Sequence, residues 1–278
     1  MFGERGGSVA VEIVTVGIAC ADVMTRPVDG LPAKGKLNLV PHLELHMGGL
    51  AAVTAAVFSR LGGNAAFIGA VGRDGFGEYV LGSLRASGVN TDHVRFAEGA
   101  DTSATVVLID SEGERTFLHQ VGANAALSEA DIDFDFVKQA KVLHWGGPSV
   151  TPGLDGAPMG RVFERARALG VRTSMDTCFD GNGTWLPLIE PALRHLDVVM
   201  SSYEEACHYT GQTDPEAIAA FYRSFGVSTV LVKMGAEGLF LSDVTGSWRI
   251  SAHRVPVVDT TGAGDAACGG FLYGYVRG

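Results

Sequence analysis

Residues 255–270, VPVVDTTGAGDAACGG, combine one carboxylate with small residues at a spacing that could handle phosphate. Val255, Val257 and Val258 read as the end of a buried strand. The glycines then allow a sharp turn into a helix that opens with Gly262, Ala263, Gly264 and Asp265. The leading N–H groups of such a helix have no intrahelical partners and lie at the positive end of its dipole. They suit an anion, above all a phosphate that gathers charge during transfer. Asp265, beside that anion, is placed to take a proton from an attacking hydroxyl while the amides neutralise the group under attack. A plain strand-to-helix turn with small residues for close packing would leave the same letters. Gly262, Gly264 and Ala267 also satisfy the dinucleotide pattern G-x-G-x-x-[GA]. That pattern needs a further strand ending in an acid about 20 residues on, and none follows before Gly278.

The rest of the chain must hold this turn in place. Val9 to Ile18 alternates like a first core strand, and a helix is expected from Gly49 to Leu61 with Leu50, Val53, Val57 and Leu61 on one face. Strand AAFIGAVG and a helix from Phe76 to Ser87 follow. TSATVVLID and ERTFLHQV form a hairpin about Ser111, Glu112 and Gly113. Strands KVLHWGG, VRTSMD, DVVMSS and TVLVKMG then alternate with helices from Met159 to Leu169, near Leu186 to Leu196, and from Glu204. Alternation of this kind implies a mainly parallel sheet covered on both faces. GLFLSD and SWRISA form a last hairpin. Residues 19–47 and 99–121 have strand character without helical period. They are expected to pair as a small β lid over a core of residues 1–18, 48–98 and 122–278, at the strand ends where ligands bind in this architecture.

The 278 residues are 46% hydrophobic and 19% charged, enough to bury a large core. A net charge of −10 argues against nucleic acid or anionic membrane as a bulk partner. Cys20, Cys178, Cys207 and Cys268 are scattered without metal spacing and read as small apolar residues in a reducing compartment. Glu12 interrupts the apolar run from Val9 to Ala21, which falls short of the roughly 18 residues of a membrane span. A cytoplasmic location is expected.

The C-terminal motif resembles the signature of the ribokinase-like (PfkB) family of carbohydrate and nucleoside kinases, and the resemblance extends over nearly the whole chain. It implies a three-layer α/β/α core with a β lid. It also implies ATP and magnesium as cofactors and transfer of the γ-phosphate to a hydroxyl of a small sugar or sugar acid. Asp265 would be the base and Gly262, Ala263 and Gly264 the amide donors. Asp22, after the first strand, matches an acid that holds substrate hydroxyls in the family, although it could equally cap a turn. Gly48 and Gly49 resemble the family's GGxxxN segment, with Val53 where the Asn stands, so that amide contact is not carried over. Gly72, Asp74 and Gly77 in GAVGRDGFG read as turn and helix-start residues. His119 from the lid, and Trp145 and Asp176 at strand ends, are candidate substrate contacts, while Arg115 reads as solvated and Trp145 equally as core.

Ser202 and Glu205 fall on the family's N-x-x-E motif, whose Glu helps place magnesium through water, a role one outer-sphere carboxylate can fill. Helix-start charge would explain them as well. Lys233, Gly235 and Gly238 resemble the nucleotide-side loop, where a lysine can attract phosphate, although a simple hairpin turn explains the glycines alone. Asp259 and Thr261 resemble a monovalent-cation site that holds potassium in many relatives, or a simple helix cap. A nucleoside kinase, and a sugar- or nucleotide-binding regulator without turnover, are the alternatives. The lid edges suggest a homodimer. Because family members generally continue with further helices, the chain is expected to be a shortened form of a longer protein.

Overall fold

The computed structural model describes residues 10–257 and 260–278. In chain order its strands are β1 (Ile13–Gly17), β2 (Cys20–Arg26), β3 (His42–Gly48), β4 (Ala65–Val71), β5 (Val94–Phe96), β6 (Ala104–Ile109), β7 (Arg115–Gln120), β8 (Val142–Gly146), β9 (Arg172–Asp176), β10 (Val198–Ser202), β11 (Thr229–Lys233), β12 (Leu239–Ser242) and β13 (Ser247–Ile250). The helices are α1 (Leu50–Arg60), α2 (Gly75–Ala86), α3 (Phe134–Val137), α4 (Ala157–Ala168), α5 (Leu186–Leu193), α6 (Tyr203–Thr210), α7 (Pro215–Ser224) and α8 (Ala263–Tyr275).

The larger sheet runs β13-β12-β11-β10-β9-β8-β1-β4-β5. From β11 to β5 the pairings are parallel, and the β12–β13 hairpin closes the other edge antiparallel. Such strands are buried on both faces, which is why β1, β4 and β8 read as near-continuous apolar runs. One face packs Val16, Leu143, Met175 and Val230 against residues of α4 to α7, including Phe163, Ile189, Tyr209 and Tyr222. The other packs Ile13, Phe67, Val142 and Leu231 against α1, α2 and α8. The fold is thus a three-layer α/β/α sandwich. Strand order reverses between β1 and β8, and ligands in open α/β sheets bind at the crevice beyond such a switch point. There α1 comes down onto the strand ends: a Cβ on Gly146 would lie 2.5 Å from the Ala51 amide nitrogen.

A second sheet, β3-β2-β6-β7, joins the two segments between the core strands. Its central pair β2–β6 is parallel and its outer pairs are antiparallel. Asp74 ties its root to the core. The Asp74 carboxylate accepts from Gly77 N at 2.8 Å, capping α2, and from Thr102 N at 2.7 Å.

Three local readings need correction. In α1 the buried side is Ala51, Ala52, Thr54, Ala55, Ala56 and Phe58, whereas Leu50, Val53 and Val57 are only partly buried and Leu61 is exposed. The helix lies between the sheet and α8, so two small-residue faces pack and the larger aliphatics fall between them. Residues 251–257 form no strand, and Val255 and Val257 are 65% and 69% exposed. Pro256 cannot donate to a ladder, and the chain here leaves the sheet edge to cross back to α8. Val258 lies outside the described residues. The helix expected from Glu204 is two helices, because Gly211 ends α6 and Asp214 caps α7 with Pro215 in its first turn.

Close contact between α1 and α8 fixes the position of the second helix. A Cβ on Gly269 would stand 2.8 Å from Val57 Cβ and 2.9 Å from Thr54 O, whereas Gly270 faces open space. Gly269→Ala should therefore lose about 1–3 kcal/mol of stability by overpacking. Gly270→Ala should gain about 0.5–1 kcal/mol from helix propensity. Urea unfolding of both variants checks the contrast, and equal effects would show that α8 is not seated against α1.

Candidate active site

At the start of α8 the backbone turns through Gly262, whose φ of 75° is the left-handed conformation that a side chain disfavours. Val53 of α1 packs under this turn, its Cγ1 4.0 Å from where a Gly262 Cβ would be. One turn on, Thr54 Oγ1 donates to the Asp265 carbonyl at 3.5 Å. The Ala263 N–H closes the turn by donating to Thr260 O at 3.1 Å. This corrects the expectation that Ala263 offers its amide to a ligand. Gly264 and Asp265 remain among the leading N–H groups that a helix cannot satisfy internally.

Beneath this turn lies a cluster drawn from distant strands. Asp176, fully buried at the end of β9, accepts from Lys233 Nζ at 2.7 and 2.8 Å through its two carboxylate oxygens. The same ammonium lies 3.6 Å from Cys268 Sγ in α8, and a Cβ on Gly264 would be 3.4 Å from Nζ. Burial opposes the charge on Lys233, but Asp176 outweighs it and holds the lysine protonated well above its usual range. Glu205, in the first turn of α6, accepts from Thr177 Oγ1 at 2.7 Å and from Ser202 N at 3.2 Å, while Ser202 Oγ accepts from Glu205 N at 3.3 Å. That reciprocal capping box fixes both residues. Burial and the Asp176 charge raise the Glu205 pKa, with Lys233 pulling it back. Asp265 responds most to this environment. Burial first, then the charge of Asp176, push its carboxyl up to about 7 against the pull of Lys233.

The second sheet supplies the opposite wall. Asp22 on β2 accepts from Cys20 Sγ at 3.2 Å and lies against Gly48, where any Cβ would overlap its carboxylate. Gly49 must also be bare, because a Cβ there would fall 2.5 Å from Ile18 O. His119 on β7 is 3.1 Å from Thr105 Oγ1; partial burial lowers its pKa and the Asp22 charge raises it. Arg115 is exposed, as read, and also donates to Thr261 Oγ1 at 3.5 Å, so β7 reaches the α8 turn.

On the far side of Lys233 an open cavity of about 540 Å³ is lined by Ser202, Glu204, Lys233, Met234, Gly235 and Arg249. Gly235 and Gly238 bracket a short 3-10 turn. The structure thus gathers Asp265, Asp176, Lys233 and Glu205 under the helix start, and Asp22, Gly48, Gly49 and His119 across from it. Trp145 is not part of this group. Its ring is fully buried, donates to Thr151 Oγ1 at 3.3 Å and packs edge-on to Phe163, because odd-numbered residues of β8 face the α4–α7 layer. Asp259 lies outside the described residues. Sequence reasoning missed Thr177, which orients Glu205, and Cys268 and Arg249. Only Cys268 left a signal, three residues after Asp265 on one helical face.

Residues 11–278 match the family described as pfkB family carbohydrate kinase. Over 261 residues the chain is 33% identical to the probable fructokinase-6, chloroplastic, of Arabidopsis thaliana, covering 88% of this chain and 67% of that protein. Over 252 residues it is 31% identical to the fructokinase of Salmonella typhimurium, covering 88% and 80%. The structure of Arabidopsis thaliana ribokinase complexed with ribose and ATP is similar at a TM-score of 0.82 and 27% identity, covering 97% of this chain and 87% of that one. Fructokinase from Xylella fastidiosa with bound ATP gives 0.80 and 25%, covering 96% and 81%. Family match, sandwich fold and the acid at the helix start agree, and the chain belongs to the pfkB family of carbohydrate kinases, phosphotransferases with an alcohol group as acceptor.

Proposed function

We propose that this chain transfers the γ-phosphate of ATP to a hydroxyl of a small sugar or sugar acid, with Asp265 as general base. The observation that carries the reading is a half-buried carboxylate in the first turn of a helix that begins at a left-handed glycine, with burial and the neighbouring acids pushing its pKa up to about 7. A base poised there accepts the hydroxyl proton as oxygen attacks phosphorus, and the amides take up charge on the transferring group. Asp22 and His119 would hold the acceptor's other hydroxyls from the lid, and Gly48 and Gly49 allow it close to the backbone. Fructose and ribose are the first acceptors to test, from the names of the relatives.

The cavity bounded by Ser202, Gly235 and Arg249 suits the nucleotide, with the 233–238 turn beside it. Among the described residues no three His, Cys, Asp or Glu side chains converge as a ready metal site. Glu205 still fits magnesium held through water, because Thr177 and Ser202 fix one carboxylate oxygen, Oε2, and so hold the carboxylate in place. Magnesium, when bound, would neutralise charge on the nucleotide phosphates. Thr261 could contribute to a potassium site with Asp259.

Asp265→Asn keeps the side chain's size and the helix-start amides but cannot accept the proton. Turnover, read as ADP release with fructose or ribose, should fall about 10²–10⁴-fold with substrate binding changed much less. Activity within about threefold of the parent, a loss of only ~0.7 kcal/mol, would remove Asp265 as the base.

The second sheet would also join two copies of the chain. It exposes Leu43, Leu45, Val106, Phe117 and Leu118 on a sheet with unpaired edges, a surface of the kind that pairs with itself. Light scattering at micromolar concentration should give a dimer mass, and a monomer would defeat this assignment.

A further inference from the structure

The Lys233 ammonium is engaged inside the fold although the residue lines the open cavity. Both carboxylate oxygens of Asp176 hold it, Cys268 Sγ lies 3.6 Å away, and its side chain is only 12% exposed. The lysine side chain runs beside Gly264 in the first turn of α8, where an added Cβ would stand 3.4 Å from Nζ. Asp176 and Lys233 come from β9 and β11 with β10 between them, so the pair bridges three strands directly below the helix start.

We propose that Lys233 is a positioning residue of the transfer site: clamped by Asp176, it supports the amide-bearing turn of α8 and supplies the counter-charge for Asp265 instead of binding the nucleotide. Asp265 lies in the electrostatic field of Asp176 from β9, Lys233 from β11, Glu205 from α6 and Asp22 from β2. It also lies in the field of the Cys20, Cys178 and Cys268 thiols, all held neutral by burial. Lys233 is the cation of this group. Without it the surrounding acids drive protons onto one another, and Asp176, left buried and unpaired, takes up a proton itself.

The inference rests on the reading of Asp265 as base, but its test does not use turnover, so the two can fail separately. Asp176→Asn, Lys233→Met and the double variant are compared with the parent in three measurements. These are the thermal midpoint, the affinity for magnesium-ATP by calorimetry, and the titration midpoint of the Asp265 carboxyl by ¹³C NMR. Asp176→Asn removes a negative neighbour while Lys233 stays charged, so the Asp265 midpoint should fall by about one pH unit. Lys233→Met should lower the thermal midpoint, and adding Asp176→Asn should recover most of that loss because no unpaired charge is left. ATP affinity should stay within threefold in both lysine variants. If Lys233→Met alone does not fold, the neutral double variant carries the affinity comparison. An unchanged Asp265 midpoint in Asp176→Asn, or ATP binding weakened tenfold or more in the lysine variants, overturns the proposal.

Discussion

Three carboxylates, Asp176 fully buried and Glu205 and Asp265 partly so, share one ammonium, that of Lys233. Such a group is costly to assemble: leaving one partner of a buried ion pair alone typically costs about 3–5 kcal/mol. The surrounding structure meets that cost with geometry. Two oxygens of Asp176 receive the lysine, Thr177 and the Ser202 amide hold Glu205, and the first turn of α8 passes Lys233 at Gly264. A surface carboxylate would be fully ionised and weakly basic at neutral pH; desolvation beside like charges is what makes Asp265 able to take a proton.

This demand explains the packing around it. For α8 to bring its first turn over Lys233, it must lie close against α1, and the Gly269 contact with Thr54 and Val57 is where that closeness is set. The same small residues of α1 let its own start approach β1 and β8 at the switch point, next to Asp22 and Gly48. A single crevice therefore has Asp265 and the helix-start amides on one side and Asp22 and Gly48 of the second sheet on the other. The open cavity beside Ser202 and Arg249 meets the cluster at Lys233.

Much of this was legible in the chain because it is local. The strand–helix alternation gave the sheet and its layers, and the spacing of Gly262, Gly264 and Asp265 gave the helix start, since both depend on residues close together. What failed depends on neighbours that sequence does not name. The Asp176 partner of Lys233 was invisible because it lies 57 positions away across an intervening strand. Ala263 looked like a donor because its bond to Thr260 depends on the φ of Gly262. Trp145 fell on the wrong side of β8 because a fully buried strand has no polar face to set its phase. The face of α1 was misread for a similar reason: a helix covered on two sides does not place its largest aliphatics inward.

The central claim is that burial among acids, balanced by one lysine, makes Asp265 a base near neutrality. Titrating its carboxyl carbon by ¹³C NMR in the free protein tests this without any choice of acceptor. A midpoint at about 7 is the result the account requires, and a midpoint near the ordinary 3.8 of an aspartate would contradict it.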